Sequence, residues 1–428
     1  QVWVAKGTYY PTADASGNTS PTNARTKTFV MKNDVAIYGG FAGGEAANYD
    51  LSLRNFTSNE TILSGDIDGI PDVVTGSGST LSISGNGGNA IHVITNLNNQ
   101  LVSGVILDGF TVRGGNANQT GVPNNLGIVG GGMLNRADGV GKICNVSVNN
   151  CLFWGNTSAN TGGGIYAQLA NGGAMYLQLN NCEVRQNLSR NAGGGISNSA
   201  NLDLSRCTII GNKVSNTRGE GGGLSNGGIL NISQSTISNN AAGYVGGGIS
   251  VKVFTIGGIP IVNVSNSTIS NNVAAFGAGI HNLSSSLTMT NSAIVGNIAS
   301  GSDPTGGAGG LENVGFINAT TANLINCTFH NNQQTSSTDP TADDIYSGNF
   351  GSQSTVNLKN TIINGSSATT TPNVRVFTDG TIPALGAIVS QGNNLISDGS
   401  SSFTNGINGD LVNVNPLFVS ATDVHLQG

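Results

Sequence analysis

The chain has 428 residues, of which 37% are hydrophobic, only 9% are charged and 65 are glycine, with a net charge of -6. So low a charged share beside regularly placed apolar residues excludes a disordered chain. The acidic balance excludes a nucleic-acid surface, which needs a basic patch, and no apolar run approaches the ~18 residues of a membrane-crossing helix.

In chain order, Val2-Trp3-Val4-Ala5 already reads as a strand, and His425-Leu426-Gln427-Gly428 ends without a closing element, so a fragment of a longer chain is expected. Tyr9 to Lys27 reads as a polar loop interrupted by Pro11 and Pro21. Val35 to Tyr38 is a predicted strand that leads into Gly39-Gly40-Phe41-Ala42-Gly43-Gly44-Glu45. Thr61 to Asp66, Ala90 to Ile94 and Val105 to Val112 continue as irregular coils.

From about Val146 to Asn332 one pattern is written seven times: L-x-L-x-x-C/S-x-I/F-x-x-N, a variable turn, then G-G-G-I/L-x-N. Its small position is held by Cys151, Cys182, Cys207, Ser235, Ser267, Ser292 and Cys327, at spacings of 31, 25, 28, 32, 25 and 35. Five residues on stand Asn156, Asn187, Asn212, Asn240, Asn272, Asn297 and Asn332. A second series follows the glycines: Asn135, Asn198, Asn226, Asn282 and Asn313, broken at Ala167 and Val251. Apolar residues two apart mark strands with one inward face, and a repeat of this length marks a solenoid. No window carries a helical stripe.

The prediction is therefore all-β: a right-handed parallel β-helix with three short strands per coil, the hand following from parallel crossovers. One solenoid is expected over residues 1–428, with irregular coils to 130, regular repeats over 131–332 and looser coils over 333–428. A single coil cannot stabilise itself, so its neighbours must complete it. Asparagines in register would stack about 4.8 Å apart as inward ladders.

The runs Tyr38-Gly39-Gly40-Phe41 with Glu45, Thr61 to Asp66, Leu107-Asp108-Gly109-Phe110-Thr111-Val112-Arg113-Gly114-Gly115-Asn116 and Gly392-Asn393-Asn394-Leu395-Ile396 look like the large secreted right-handed β-helix surface proteins of bacteria, many from the Bacteroidetes. The G-G-G-I and I/F-x-x-N elements are also similar to the repeats of chlamydial polymorphic outer-membrane proteins, which act as adhesins. The resemblance implies a β-helix at the cell surface or outside the cell.

The chemistry-bearing residues read mostly as structure. The glycine triplets lack the strand–helix context and the Lys-Ser/Thr ending of a phosphate loop. Cys151, Cys182, Cys207 and Cys327 fill a position that serine fills elsewhere, so buried thiols are expected, and Cys144 makes the count odd. The cysteines have no C-x-x-C spacing, and His92, His281, His330 and His425 have no metal spacing. His330 falls on an outward position and is expected to be solvated. Asp66 and Asp68 are the only calcium candidate, without the further acidic ligands of an EF-hand loop; no other cofactor is expected.

Catalysis on a β-helix would need carboxylates or a base on outward positions of adjacent coils. Those positions read Leu152, Glu183, Thr208, Thr236, Thr268, Ala293 and Thr328, then Trp154, Arg185, Ile210, Ser238, Ser270 and Val295. Glu183 and Arg185 share a strand without charged neighbours above or below, and Asp343-Asp344 only faintly resembles the paired aspartates of polygalacturonases. The threonine file Thr208, Thr236, Thr268 is too disturbed by Trp154, Arg185 and Ile210 for an ice-binding face. The expectation is a non-catalytic extracellular scaffold or adhesin, with a polysaccharide lyase or glycoside hydrolase as the alternative. Its binding residues are expected on the long corners, at Tyr166, Tyr176, Phe254, Ile259 and Phe316, facing a glycan, a protein or another copy.

Overall fold

Each coil makes the three strands that the repeat predicts, and they recur in register from one coil to the next. Ala174–Asn180, Glu183–Arg185 and Ile196–Ser199 are one such coil, and the next begins at Asn201–Ser205. The L-x-L strands pair only with L-x-L strands, in parallel: Leu177 opposes Leu202 and Leu179 opposes Leu204. Stacked in this way, the three strand types form three parallel sheets, here numbered first, second and third in coil order. The computed structural model describes residues 1–97, 100–253, 258–302, 307–336, 341–366, 371–378 and 387–418. Two compact units divide the chain, Gln1–Ser215 and Asn216–Gly428, and each is a parallel β-helix.

Alternation along each strand sets the core. In Asn201–Ser205 only Leu202 and Leu204 are buried, and in Ile261–Ser265 only Val262 and Val264. A feature the pattern did not reveal is a fourth, two-residue strand after every ladder asparagine but Asn240, as in Thr157–Ser158 and Leu188–Ser189, or Val273–Ala274 and Ile298–Ala299. It is too short to show a period. An antiparallel hairpin, Val73–Thr75 with Ser82–Ser84, also escaped the reading.

The inward asparagines explain why the coils repeat so strictly. Asn187 Oδ1 accepts from Asn156 N and Asn156 Nδ2, both at 3.0 Å. Its Nδ2 donates to Phe153 O and to Asn212 Oδ1, again at 3.0 Å each. Both lone-pair sites and both N–H groups are used, a set that only a carboxamide supplies. The second unit repeats it: Asn272 Oδ1 takes Asn240 N and Nδ2, and Asn272 Nδ2 serves Ile237 O and Asn297 Oδ1.

The glycine before each third-sheet strand from Met133–Asp138 to Leu311–Gly315 belongs to the same device. A Cβ on Gly223 or Gly248 would lie 2.9 Å from the amide nitrogen of Asn240 or Asn272, closer than packing allows. Where the amide is missing the glycine is missing too. The position after Asn332 in the ladder is Ser366, and the residue in register with Gly310 is then Asp344. Asp344 fills the space, is fully buried, and accepts from Asn332 Nδ2 at 2.7 Å. Its other oxygen has no partner among the described residues. Burial pushes the Asp344 carboxyl well above the usual range, with Asp343 and Asp398 adding to the shift and Asn332 opposing it.

The second asparagine series forms ladder bonds as well. Asn282 Nδ2 donates to Asn313 Oδ1 at 2.7 Å, and Asn96, which the pattern missed, donates to Asn135 at 2.8 Å. Asn198 and Asn226 also each donate from Nδ2 to the carbonyl two residues on, Ala200 O and Gly228 O. All five cysteines are buried thiols outside any disulfide. Cys151, Cys182, Cys207 and Cys327 each donate to a carbonyl of the adjacent coil, at 3.3 to 3.7 Å. Burial pushes Cys144 and Cys151 up to about 12 and Cys327 to about 11. His330 departs from expectation: it is buried, bonded to Asn364 Nδ2 at 3.0 Å and stacked edge-on against Phe418 at 4.5 Å.

Two outcomes follow. Asn272→Ala strands buried donors and acceptors on both neighbouring coils, so chemical denaturation should show a loss of about 3 kcal/mol or more. Asp344→Asn should act in the opposite direction. A carboxyl raised in the folded state binds its proton more tightly there, so its contribution falls as pH rises from the ordinary carboxylate range, about 3.9, toward the raised value. Melting curves from pH 4 to 8 should decline less steeply for Asp344→Asn than for the parent; equal slopes would contradict this account of Asp344.

Candidate functional site

The outer face of the second sheet in the first unit is where outward residues stop being small. Thr111, Leu152, Glu183 and Thr208 stand in one register file. Two residues further along the same strands come Arg113, Trp154, Arg185 and Ile210. The guanidinium carbons of Arg113 and Arg185 each lie 5.8 Å from the Trp154 ring, one from the strand on either side. This is cation–π geometry. Trp154 is further held by Nε1 donating to Gln186 Oε1 at 3.0 Å, and Gln186 Nε2 donates to Gly76 O beside the hairpin. With a guanidinium from each neighbouring strand against its ring, Trp154 steadies Arg185 rather than offering itself to a ligand.

Beside this stack an open groove of about 570 Å³ runs across Thr111, Leu152, Glu183 and Thr208. Two charged side chains that strand reading did not place there enter from turns. Arg206 sits just before Cys207, where other coils carry Asn150, Asn181, Asn266, Asn291 and Asn326. Like them it has positive φ, 53°. Asparagine tolerates this conformation better than arginine does, and the asparagines use it to form an outward file, as in Asn181 Nδ2 to Asn150 Oδ1 at 2.7 Å. Arg206 interrupts that file and donates from Nη2 to Asn180 Oδ1 at 2.5 Å. Glu60 arrives on the loop before Thr61–Ser64 and accepts from Thr111 Oγ1 at 2.8 Å.

The loop that brings Glu60 is locked from beneath. Arg54 Nη2 meets Asp108 Oδ1 at 3.0 Å, with side chains only 5% and 11% exposed. Its guanidinium carbon lies 5.1 Å from the Tyr38 ring and 5.0 Å from the Phe56 ring. Gly40 and Gly109 are required here: a Cβ on either would lie within 2.7 Å of the Phe56 ring, and both have positive φ. Glu45 closes the other end, accepting from the N–H groups of Ala42, Gly43 and Gly44. Its pKa is lowered, partial desolvation being outweighed by these backbone bonds. The Y-G-G-F and D-G-F motifs are therefore the seat of this loop.

The groove holds Glu60, Glu183, Arg185 and Arg206, with Phe56 as its aromatic wall. Glu183 and Arg185 are 3.6 Å apart and each 41% exposed. Glu60 sits on Thr111, two strands from Glu183, a spacing of about 10 Å between the strands.

The residues expected on the long corners do not converge. Tyr166 is half-buried on the third sheet, opposite Leu134 and Ser197, and burial raises its phenol pKa against the opposing effect of Arg136. Tyr176 faces outward from the first sheet and donates to Asp203. Ile259 is exposed, Phe316 walls a separate cleft in the second unit, and Phe254 lies outside the described residues. Asp66 and Asp68 turn onto their own loop: Asp66 Oδ1 accepts from Gly69 N at 3.1 Å and Asp68 Oδ1 from Ile70 N at 3.0 Å. Burial first, then Asp68, raises Asp66. Two carboxylates alone fall short of the roughly six to eight oxygens that calcium takes.

Fold and groove together define a parallel β-helix with a charged groove on one sheet face. No protein-family model, curated protein or solved structure matches the chain.

Arg54→Ala should uncouple the loop from the coil beneath it. Breaking a buried ion pair costs about 3–5 kcal/mol, read by denaturation, and limited proteolysis should cut within 42–60. Arg54→Lys should not restore protection, because one ammonium cannot serve Asp108 and the Gly39 carbonyl as the fork does. Unchanged proteolysis in both variants would contradict this role.

Proposed function

We propose that the chain is a non-catalytic scaffold, at the cell surface or outside the cell, whose first unit binds an extended glycan in the groove of the second sheet. The observation that carries this reading is the set of Glu60, Glu183, Arg185 and Arg206 around a floor of Thr111, Leu152 and Thr208. Two acids and two bases give hydroxyl groups both acceptors and donors, without a net charge that would select an ion. Thr111 and Thr208 keep the floor low on either side of Leu152 and Glu183, so the groove is open, as suits a chain more than an enclosed small molecule. The solenoid beneath it is rigid, and the loop with Phe56 and Glu60 is the kind of element that carries binding on a rigid scaffold.

A second reading, a glycoside hydrolase, is favoured by one observation: Glu60 and Glu183 line the same groove, and a glycosidase works with a pair of carboxylates. Against it, Glu183 is two-fifths exposed beside Arg185, whereas a general acid is set in apolar, buried surroundings. A lyase reading lacks such support, since Arg185 is engaged with Trp154 and Glu183.

The test is a glycan array followed by titration calorimetry with the oligosaccharides retained. Arg185→Ala and Arg206→Ala should each weaken binding about ten-fold or more, the scale of a lost charge-assisted bond, while the melting temperature holds. Binding untouched by either change would remove the groove from the account. Release of reducing ends that Glu183→Gln abolishes would replace the scaffold with the enzyme.

A further inference from the structure

The second unit holds a cleft that the groove does not explain. It has a volume of about 310 Å³, within the range of small-molecule sites. Its floor is the outer face of the third sheet, where the register file reads Ser225, Ser250, His281, Glu312. The first two are small and fully buried; the next two are ionisable. His281 Nδ1 lies 2.8 Å from Glu312 Oε2, and the two residues are only 8% and 7% exposed. At the mouth, Lys252 Nζ pairs with Glu220 Oε2 at 2.5 Å. The walls are aromatic. Tyr244 and Phe276 pack edge to face at 5.5 Å, and Phe316 stands 56% exposed opposite no charged partner of its own.

A buried His–Glu pair in place of two serines is costly to desolvate and is weak evidence for stability. Here the pair also leaves something over. Glu312 on Nδ1 fixes the imidazole orientation, and in the neutral ring the other nitrogen then becomes an acceptor. His281 lines the cleft on a side chain nine-tenths buried, and with Nδ1 taken by Glu312 its Nε2 is the ring nitrogen left for a ligand. Glu220, steadied by Lys252, presents a carboxylate at the mouth. The cleft thus offers acceptors between apolar rings: Lys252 matches the charge of Glu220, and beside a neutral imidazole the Glu312 carboxylate keeps its own.

We infer that this cleft is a binding site for a single neutral pyranose, free or at the end of a glycan. A pyranose has an apolar C–H face for the rings and vicinal hydroxyl groups to donate to His281 Nε2 and the Glu220 carboxylate. An anionic sugar would meet two carboxylates, and a simple cation would leave the hydroxyl acceptors unused. The site is independent of the groove in the first unit and stands whether or not that groove binds a glycan.

The experiment is saturation-transfer NMR on the intact chain, with methyl glycosides of the neutral hexoses, methyl glucuronoside and tetramethylammonium as probes. At least one neutral methyl hexoside should bind saturably, and the glucuronoside and tetramethylammonium should not. Phe316→Ala, on an exposed ring, should weaken that binding about ten-fold. The double change His281→Ser/Glu312→Ser copies what Ser225 and Ser250 place in the same file and should abolish it, whereas Arg185→Ala should leave it unchanged. The inference is overturned if no neutral hexoside saturates, if only the charged probes bind, or if binding survives Phe316→Ala. Should the double variant lose its circular-dichroism spectrum, Phe316→Ala alone decides.

Discussion

One carboxamide per coil, buried and fully hydrogen-bonded, is the constraint on which the rest of this chain depends. Asn187 and Asn272 each use both N–H groups and both lone-pair sites, and each satisfies a backbone N–H of one neighbouring coil and a side chain of the other. A serine at that place could not donate twice, and a carboxylate could not donate at all. The amide in turn dictates glycine across the turn. Ser366 and Asp344 show the coupling by exception: once the amide is lost the glycine is free to change. Glycine and asparagine are abundant here because each repeat needs both for one packing reason.

With the interior so fully specified, variation is confined to outward positions, and there the chain is uneven. From Thr236 to His330 six of the eight outward residues on the second sheet are threonine, serine or alanine. In the first unit they become Arg113, Trp154, Glu183 and Arg185, and a turn asparagine becomes Arg206. In the second unit a serine file becomes His281 and Glu312. Each of these changes buries or strains a group that the scaffold does not need: a guanidinium stack, an arginine at positive φ, an imidazole with an idle nitrogen. Departures of that kind are the residues from which function is argued.

The coils, the ladder and the buried thiols were legible because they repeat, and register in sequence maps directly onto register in space. The sites were legible only in part. Arg113, Trp154 and Arg185 could have been stacked by extending the same register one coil toward the N-terminus. Glu60 could not, because it reaches the groove on a loop whose position is set by Arg54 and Phe56 together with Asp108, which lies 54 residues beyond Arg54. The long corners drew attention by length and aromatic content, yet their residues face different sheets. His330 was misplaced because alternation tells which way a side chain leaves its strand and not whether Phe418 will later cover it.

The claim that inward amides hold the coils together is tested most directly by residue-resolved hydrogen exchange. The backbone N–H groups of Asn156, Asn187, Asn240, Asn272 and Asn297 each donate to the side-chain oxygen of the next asparagine. They should belong to the slowest class, exchanging only when the whole coil stack opens. Exchange as fast as that of the exposed amides in residues 42–60 would mean that the ladder decorates the fold and does not support it.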